Sequence, residues 1–138
     1  MQNLNETLAP SSSARLIIVD EQDLLRESLR SMLECEDGLR IVDEAKDGQE
    51  AIELCRLHRP DLVLMDMGML RVNGFEATRR IKKELCTTKV LMMSVYHNHE
   101  FVSKAIRAGA EGYVLKLASL TELLESVRGV LQGESRYP

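Results

Sequence analysis

Short apolar runs and longer amphipathic stretches alternate five times along this chain. The runs cover residues 16–19, 39–42, 62–65, 90–94 and 112–115, and each is bounded by polar or turn residues, which predicts five strands. Between and after them, apolar residues recur at helical spacing. Leu25, Leu29, Met32 and Leu33 form one stripe; Leu120, Leu123, Leu124, Val127 and Leu131 form another. Ala77, Ile81 and Leu85 mark a third, Val102, Ala105 and Ile106 a fourth, and residues 49–57 a weaker fifth. Several of the strands are too uniformly apolar to keep a wet face, so the prediction is a parallel sheet covered by helices on both sides, an α/β doubly wound fold. In such sheets polar function gathers beyond the carboxyl ends of the strands.

Those ends carry a short list of groups. The first run leads into Asp20 and Glu21, the second into Asp43, Glu44 and Ala45, and the third into Asp66; the fourth ends in Ser94 and the fifth in Lys116. If the first, third, fourth and fifth strands are neighbours, three carboxylates, a hydroxyl and an ammonium meet at one edge. Clustered carboxylates repel unless a cation shares them, and a hard oxygen site only partly supplied by protein suits Mg²⁺. A carboxylate can also attack phosphorus to form an aspartyl phosphate, and Asp66 is the candidate acceptor. Lys116 would balance charge at rest and hold a phosphoryl oxygen afterwards, and Ser94 would donate a hydrogen bond to another.

Composition narrows the function classes. With 138 residues the chain has the length of one domain, expected over residues 15–133 after a polar lead-in at 1–14. A net charge of −4 argues against direct nucleic-acid binding. No run approaches the roughly 20 apolar residues of a membrane span, and the start lacks the pattern of a signal peptide. Cys35, Cys55 and Cys86 have no metal-ligand spacing and are expected as reduced, mostly buried thiols of a cytoplasmic protein.

The ordered set IIVDE, DLVLMD, LMMS and GYVLK resembles the receiver domain of two-component response regulators over residues 15–133. The later stretch AIRAGAEGYVLKLASLTELLESVRGVLQGE is especially similar to NarL/FixJ (LuxR-type) receivers. The resemblance implies a sheet order of 2-1-3-4-5 with five helices. It implies phosphorylation of Asp66 by a sensor histidine kinase, and Mg²⁺ bound by Asp20, Glu21, Asp66 and the carbonyl of Gly68. It also implies a supporting role for Lys116 and a switch built from Ser94 and Tyr113. Such a domain assists its own phosphotransfer and dephosphorylation without being an enzyme on other substrates. Its output would be a changed surface around the fourth helix, fifth strand and fifth helix, used for homodimerisation or domain contact. NarL/FixJ receivers usually precede a helix-turn-helix DNA-binding domain, and residues 134–138, ESRYP, are expected to begin a linker. The chain departs from the family pattern at Leu70 and Leu117, where proline is common, and at Glu21, where aspartate is commoner.

Plainer readings stand beside these. Asp20, Glu21 or Asp66 alone would serve as helix caps, and Lys116 alone as a solvated lysine. Asp47–Gly48 reads as a turn, Gly74, Gly109 and Gly112 as turn or helix-terminal glycines, and Arg79, Arg80, Lys82 and Lys83 as a solvated face. His97 and His99 read as surface residues, and Met65, Met67 and Met69 as filling around Asp66. Two other functions remain on the list: a receiver-like interaction module that works without phosphorylation, and a phosphatase with an Asp nucleophile. The phosphatase would need a carboxylate at position 68, which is Gly.

Overall fold

The computed structural model describes residues 13–69 and 71–138. In chain order the elements are β1 (Ala14–Val19), α1 (Asp23–Glu34), β2 (Leu39–Ala45), α2 (Gly48–His58) and β3 (Leu62–Asp66). They continue with α3 (Gly74–Glu84), β4 (Lys89–Ser94), α4 (His99–Ala108), β5 (Gly112–Leu115) and α5 (Leu120–Leu131). The strands form one sheet in the order β2-β1-β3-β4-β5, and every pair is parallel. This is the doubly wound α/β fold that the alternating runs predict.

The strands separate two apolar layers by simple alternation. Ile17, Val19, Val63, Met65, Val90, Met92 and Tyr113 face one side with Ala51, Ile52, Ala77, Ile81 and Ala105 of α2, α3 and α4. Leu16, Ile18, Leu62, Leu64, Leu91, Met93 and Val114 face the other, with Leu29, Leu33, Leu123 and Val127 of α1 and α5. Each large side chain fully buried in these layers contributes about 1.5–3 kcal/mol relative to leaving it in water.

Four helices start on a side-chain cap: Asp47, Asn73, Asn98 and Ser119 each accept a hydrogen bond from a backbone N–H of the first turn, and Ser119 with Glu122 completes a capping box. Asp47–Gly48 is thus a helix start rather than a turn. Helix α1 begins without such a cap, because Gln22 makes none.

Other local expectations are corrected. Cys55 alone of the three thiols is buried, and burial pushes its pKa up to about 12; Cys35 and Cys86 are exposed. Met32 and Ile106 lie outward from their stripes. Gly112 is a residue of β5 and not a turn. Lys82 is not solvated: its ammonium donates to Cys86 O, Thr88 O and Glu111 Oε2. Residues 134–138 fold back on β5. Tyr113 N donates to Arg136 O at 2.8 Å, Arg136 N donates to Glu111 O at 3.0 Å, and the Tyr137 hydroxyl donates to Ala110 O. The lead-in up to residue 12 and Leu70 lie outside the described residues.

Candidate functional site

The sheet's carboxyl edge is aligned by ladder bonds that run one residue past the strands. Asp20 N donates to Ala45 O, Met67 N to Met93 O and Lys116 N to Ser94 O, at 2.8 to 3.0 Å. This register sets Asp20, Asp66, Ser94 and Lys116 side by side at neighbouring strand ends.

Lys116 Nζ lies 3.0 Å from Asp20 Oδ2 and 3.0 Å from Asp66 Oδ1. Asp20 is fully buried and Asp66 is 5% exposed. Asp20 Oδ1 accepts from Gln22 N at 2.9 Å. Asp20 Oδ2 is buried and accepts no well-aligned hydrogen bond, although the Lys116 ammonium lies 3.0 Å from it. Asp66 Oδ1 receives a long bond from Gly68 N at 3.4 Å. Two carboxylates therefore share one ammonium. Burial, and then the neighbouring charge of Asp20, raise the Asp66 pKa, against the pull of Lys116 and Gly68. Burial alone would lower the Lys116 pKa, but its bonds and attraction to Asp20 and Asp66 leave it raised.

The residues present suit a hard divalent cation. Two buried carboxylates share one ammonium, a buried Asp20 oxygen has no well-aligned hydrogen bond, and Gly68 beside them is exposed, with open space where a side chain would stand. Glu21 is exposed at the end of β1. Among the described residues no group of three or more His, Cys, Asp or Glu side chains is already placed to hold a metal ion.

Asp66, Met67, Gly68, Ser94, Val95, Tyr96 and Lys116 line a cleft of about 280 Å³. A larger cavity of about 370 Å³ lies between β5, α5 and the C-terminal residues, and the carboxylates do not line it. Ser94 is buried at the cleft floor, and its Oγ accepts from Tyr96 N at 2.9 Å. Tyr113 is buried too, and its hydroxyl donates to Tyr96 O at 2.6 Å. The backbone of Tyr96 thus joins Ser94 to Tyr113. The exposed Tyr96 ring packs 5.7 Å from Phe101 of α4.

Two contributors escaped the sequence. Tyr96 has no motif to mark it. Arg26 is 8% exposed and donates Nη1 to Asp20 O at 2.8 Å, Nε to Glu44 and Nη2 to Asp23, which fixes the turn that carries Asp20. Its signal was present: Arg26 stands three and seven residues before Leu29 and Leu33, on the buried stripe of α1.

This fold, with two acidic strand ends sharing a lysine, is the arrangement of a phospho-acceptor signalling domain. Residues 16–128 match the response regulator receiver domain, and the chain belongs to that family. It is 37% identical over 122 residues to the response regulator UvrY of Escherichia coli K12, covering 88% of this chain and 56% of that protein. It is 36% identical over 119 residues to the transcriptional regulatory protein DegU of Brevibacillus brevis, covering 86% and 50%. A LuxR-family two-component response regulator from Aurantimonas sp. SI85-9A1 superposes with a TM-score of 0.87 at 35% identity, over 91% of this chain and 89% of that one. The signal receiver domain of NarL from Mycobacterium tuberculosis gives 0.85 at 31% identity, over 89% and 99%. The chain spans about half the length of the curated relatives it matches. It is a NarL/LuxR-type receiver, and no helix among its described residues is long and apolar enough to cross a membrane.

Proposed function

We propose that Asp66 takes a phosphoryl group from a phosphohistidine of a sensor histidine kinase. A carboxylate oxygen of Asp66 forms the new O–P bond while the P–N bond breaks and the imidazole leaves. The observation that supports this reading is the pair of buried carboxylates, Asp20 and Asp66, each 3.0 Å from the one ammonium of Lys116, a charge balance suited to a divalent cation beside the acceptor. Receivers of this family bind Mg²⁺ in general. Here Asp20, Asp66 and the Gly68 carbonyl would hold it, with Glu21 the nearest further carboxylate in sequence; when bound, the ion offsets charge on the transferring oxygens.

Lys116 holds one phosphoryl oxygen, and the Ser94 hydroxyl donates to another. When Ser94 turns to do so, the oxygen that accepts from Tyr96 N moves with it, and Tyr96 O carries that shift to the Tyr113 hydroxyl. The switch is therefore a linked set of Ser94, Tyr96 and Tyr113 beside α4 and β5. An Asp-nucleophile phosphatase is disfavoured because position 68 is an exposed glycine with no acid to offer.

The similarity to DegU and to LuxR-family regulators supports a wider role as the regulatory part of a DNA-binding transcription regulator, with homodimerisation and contact to a helix-turn-helix domain as its outputs. Incubation with Mg²⁺ and acetyl phosphate tests the core of the reading by intact mass. The wild type gains one phosphoryl group, and chelation of Mg²⁺ prevents the gain. Equal gain in Asp66→Asn, or none in the wild type, would overturn the assignment.

A further inference from the structure

The segment after Asp66 is held at two points. At its base, Gly74 N donates to Met67 O at 2.9 Å, and Gly74 packs so closely that a β-carbon there would overlap the Asp66 carbonyl oxygen. At its tip it meets a different element. Gly48 N, in the first turn of α2, donates to Arg71 O at 3.0 Å. Arg71 Nη1 lies 3.5 Å from Asp47 Oδ2, the carboxylate that also caps α2.

The contact at Gly48 leaves no space. A β-carbon at that position would overlap the carbonyl oxygen of Val72. Val72 itself has φ 49°, a left-handed conformation that a β-branched residue adopts only under constraint. Gly is also a poor helix former, and alanine would serve α2 better if the helix alone mattered. Both residues thus carry a local cost at the same contact, and neither cost has a reason within its own element.

We infer that Gly48 is a positioning residue for the cation site. It seats the Val72 carbonyl, and so steadies the segment that follows Asp66, where Gly68 N reaches Asp66 Oδ1 at 3.4 Å. The inference rests on the reading of Asp66 and Mg²⁺ given above. In this account the glycine after Asp47 is set by the reactive loop of the neighbouring strand and not by α2. Gly48 acts through Val72 and touches neither the cation nor the phosphoryl group.

Calorimetric titration with Mg²⁺ alone tests it, with thermal melting alongside. Gly48→Ala should weaken Mg²⁺ binding about tenfold, the scale expected when a support behind the ligands is lost. Gly48→Ala combined with Val72→Gly, which frees the opposing backbone, should recover most of that loss. Helix propensity alone predicts the opposite trend, a more stable α2 with Mg²⁺ binding unchanged. A weakening smaller than about threefold, on that same scale, would overturn the inference. Should Gly48→Ala fail to fold, hydrogen exchange in the wild type decides: Mg²⁺ must slow exchange of the Gly48 amide, and an unchanged rate overturns the inference. A wild type that neither binds Mg²⁺ nor gains a phosphoryl group would instead overturn the acceptor reading, whatever Gly48 does.

Discussion

Two lysines face carboxylates at opposite edges of the sheet, and their surroundings differ. At the amino edge, Lys82 Nζ donates to Glu111 Oε2 at 2.5 Å, to Thr88 O at 2.8 Å and to Cys86 O at 3.1 Å, while Glu111 Oε1 accepts from Val90 N. All three ammonium hydrogens are used, and the charges pair one to one. At the carboxyl edge, Lys116 faces two carboxylates, and Asp20 Oδ2 lacks an aligned donor. The first cluster is complete without a ligand and serves to lock α3 to the start of β4 and β5. The second has a deficit of positive charge that a divalent cation would fill. The residue types are the same, and the count of partners separates structure from reactivity.

The comparison can be broken most forcefully at the complete cluster. Lys82→Met leaves the Glu111 carboxylate half-buried without its ion partner and should cost about 3 kcal/mol in chemical denaturation, with phosphoryl acceptance and Mg²⁺ binding unchanged. Comparable losses of Mg²⁺ binding would show that the two edges are not separate. At the deficient cluster the sign reverses. Asp66→Asn removes a repelling buried charge and should stabilise the apo protein by on the order of 1 kcal/mol, raising Tm by roughly 4 °C. A drop in Tm would mean that Lys116 and Asp66 form a satisfied pair like Lys82 and Glu111.

The smallest effect is in pH. Because the folded-state pKa of Asp66 is raised, the folded protein binds its proton more readily than the unfolded chain. Ionised Asp66 therefore costs stability above its raised pKa, and that cost is relieved as pH falls through it toward the ordinary carboxylate range. The stability advantage of Asp66→Asn over the wild type should shrink across this interval, as followed by Tm in low-Mg²⁺ buffer. An advantage that widens on acidification would contradict the raised pKa.

Much of this architecture was legible because it depends on local pattern. The uniform apolar runs give strands and put Asp20, Asp66, Ser94 and Lys116 at strand ends, and the strand order implied by the resemblance to receiver domains makes those ends neighbours on one edge. What was not legible depends on contacts distant in sequence. Lys82 reads as solvated beside Arg79, Arg80 and Lys83, because its partner Glu111 lies 29 residues away. Gly48 reads as a turn glycine, and its reason is the Val72 carbonyl on another loop. Residues 134–138 have the composition of a linker, yet their backbone pairs with β5 through Tyr113 and Arg136.

The central claim is that the deficient edge is reactive at one atom group, the carboxylate of Asp66. Borohydride reduction after incubation with Mg²⁺ and acetyl phosphate converts an aspartyl phosphate to homoserine, and tandem mass spectrometry of the digested protein then locates it. Homoserine at position 66 alone is the predicted result. Homoserine at Asp20 or another aspartate, or 2-amino-5-hydroxypentanoic acid at Glu21 or another glutamate, in place of homoserine at position 66 would contradict the account.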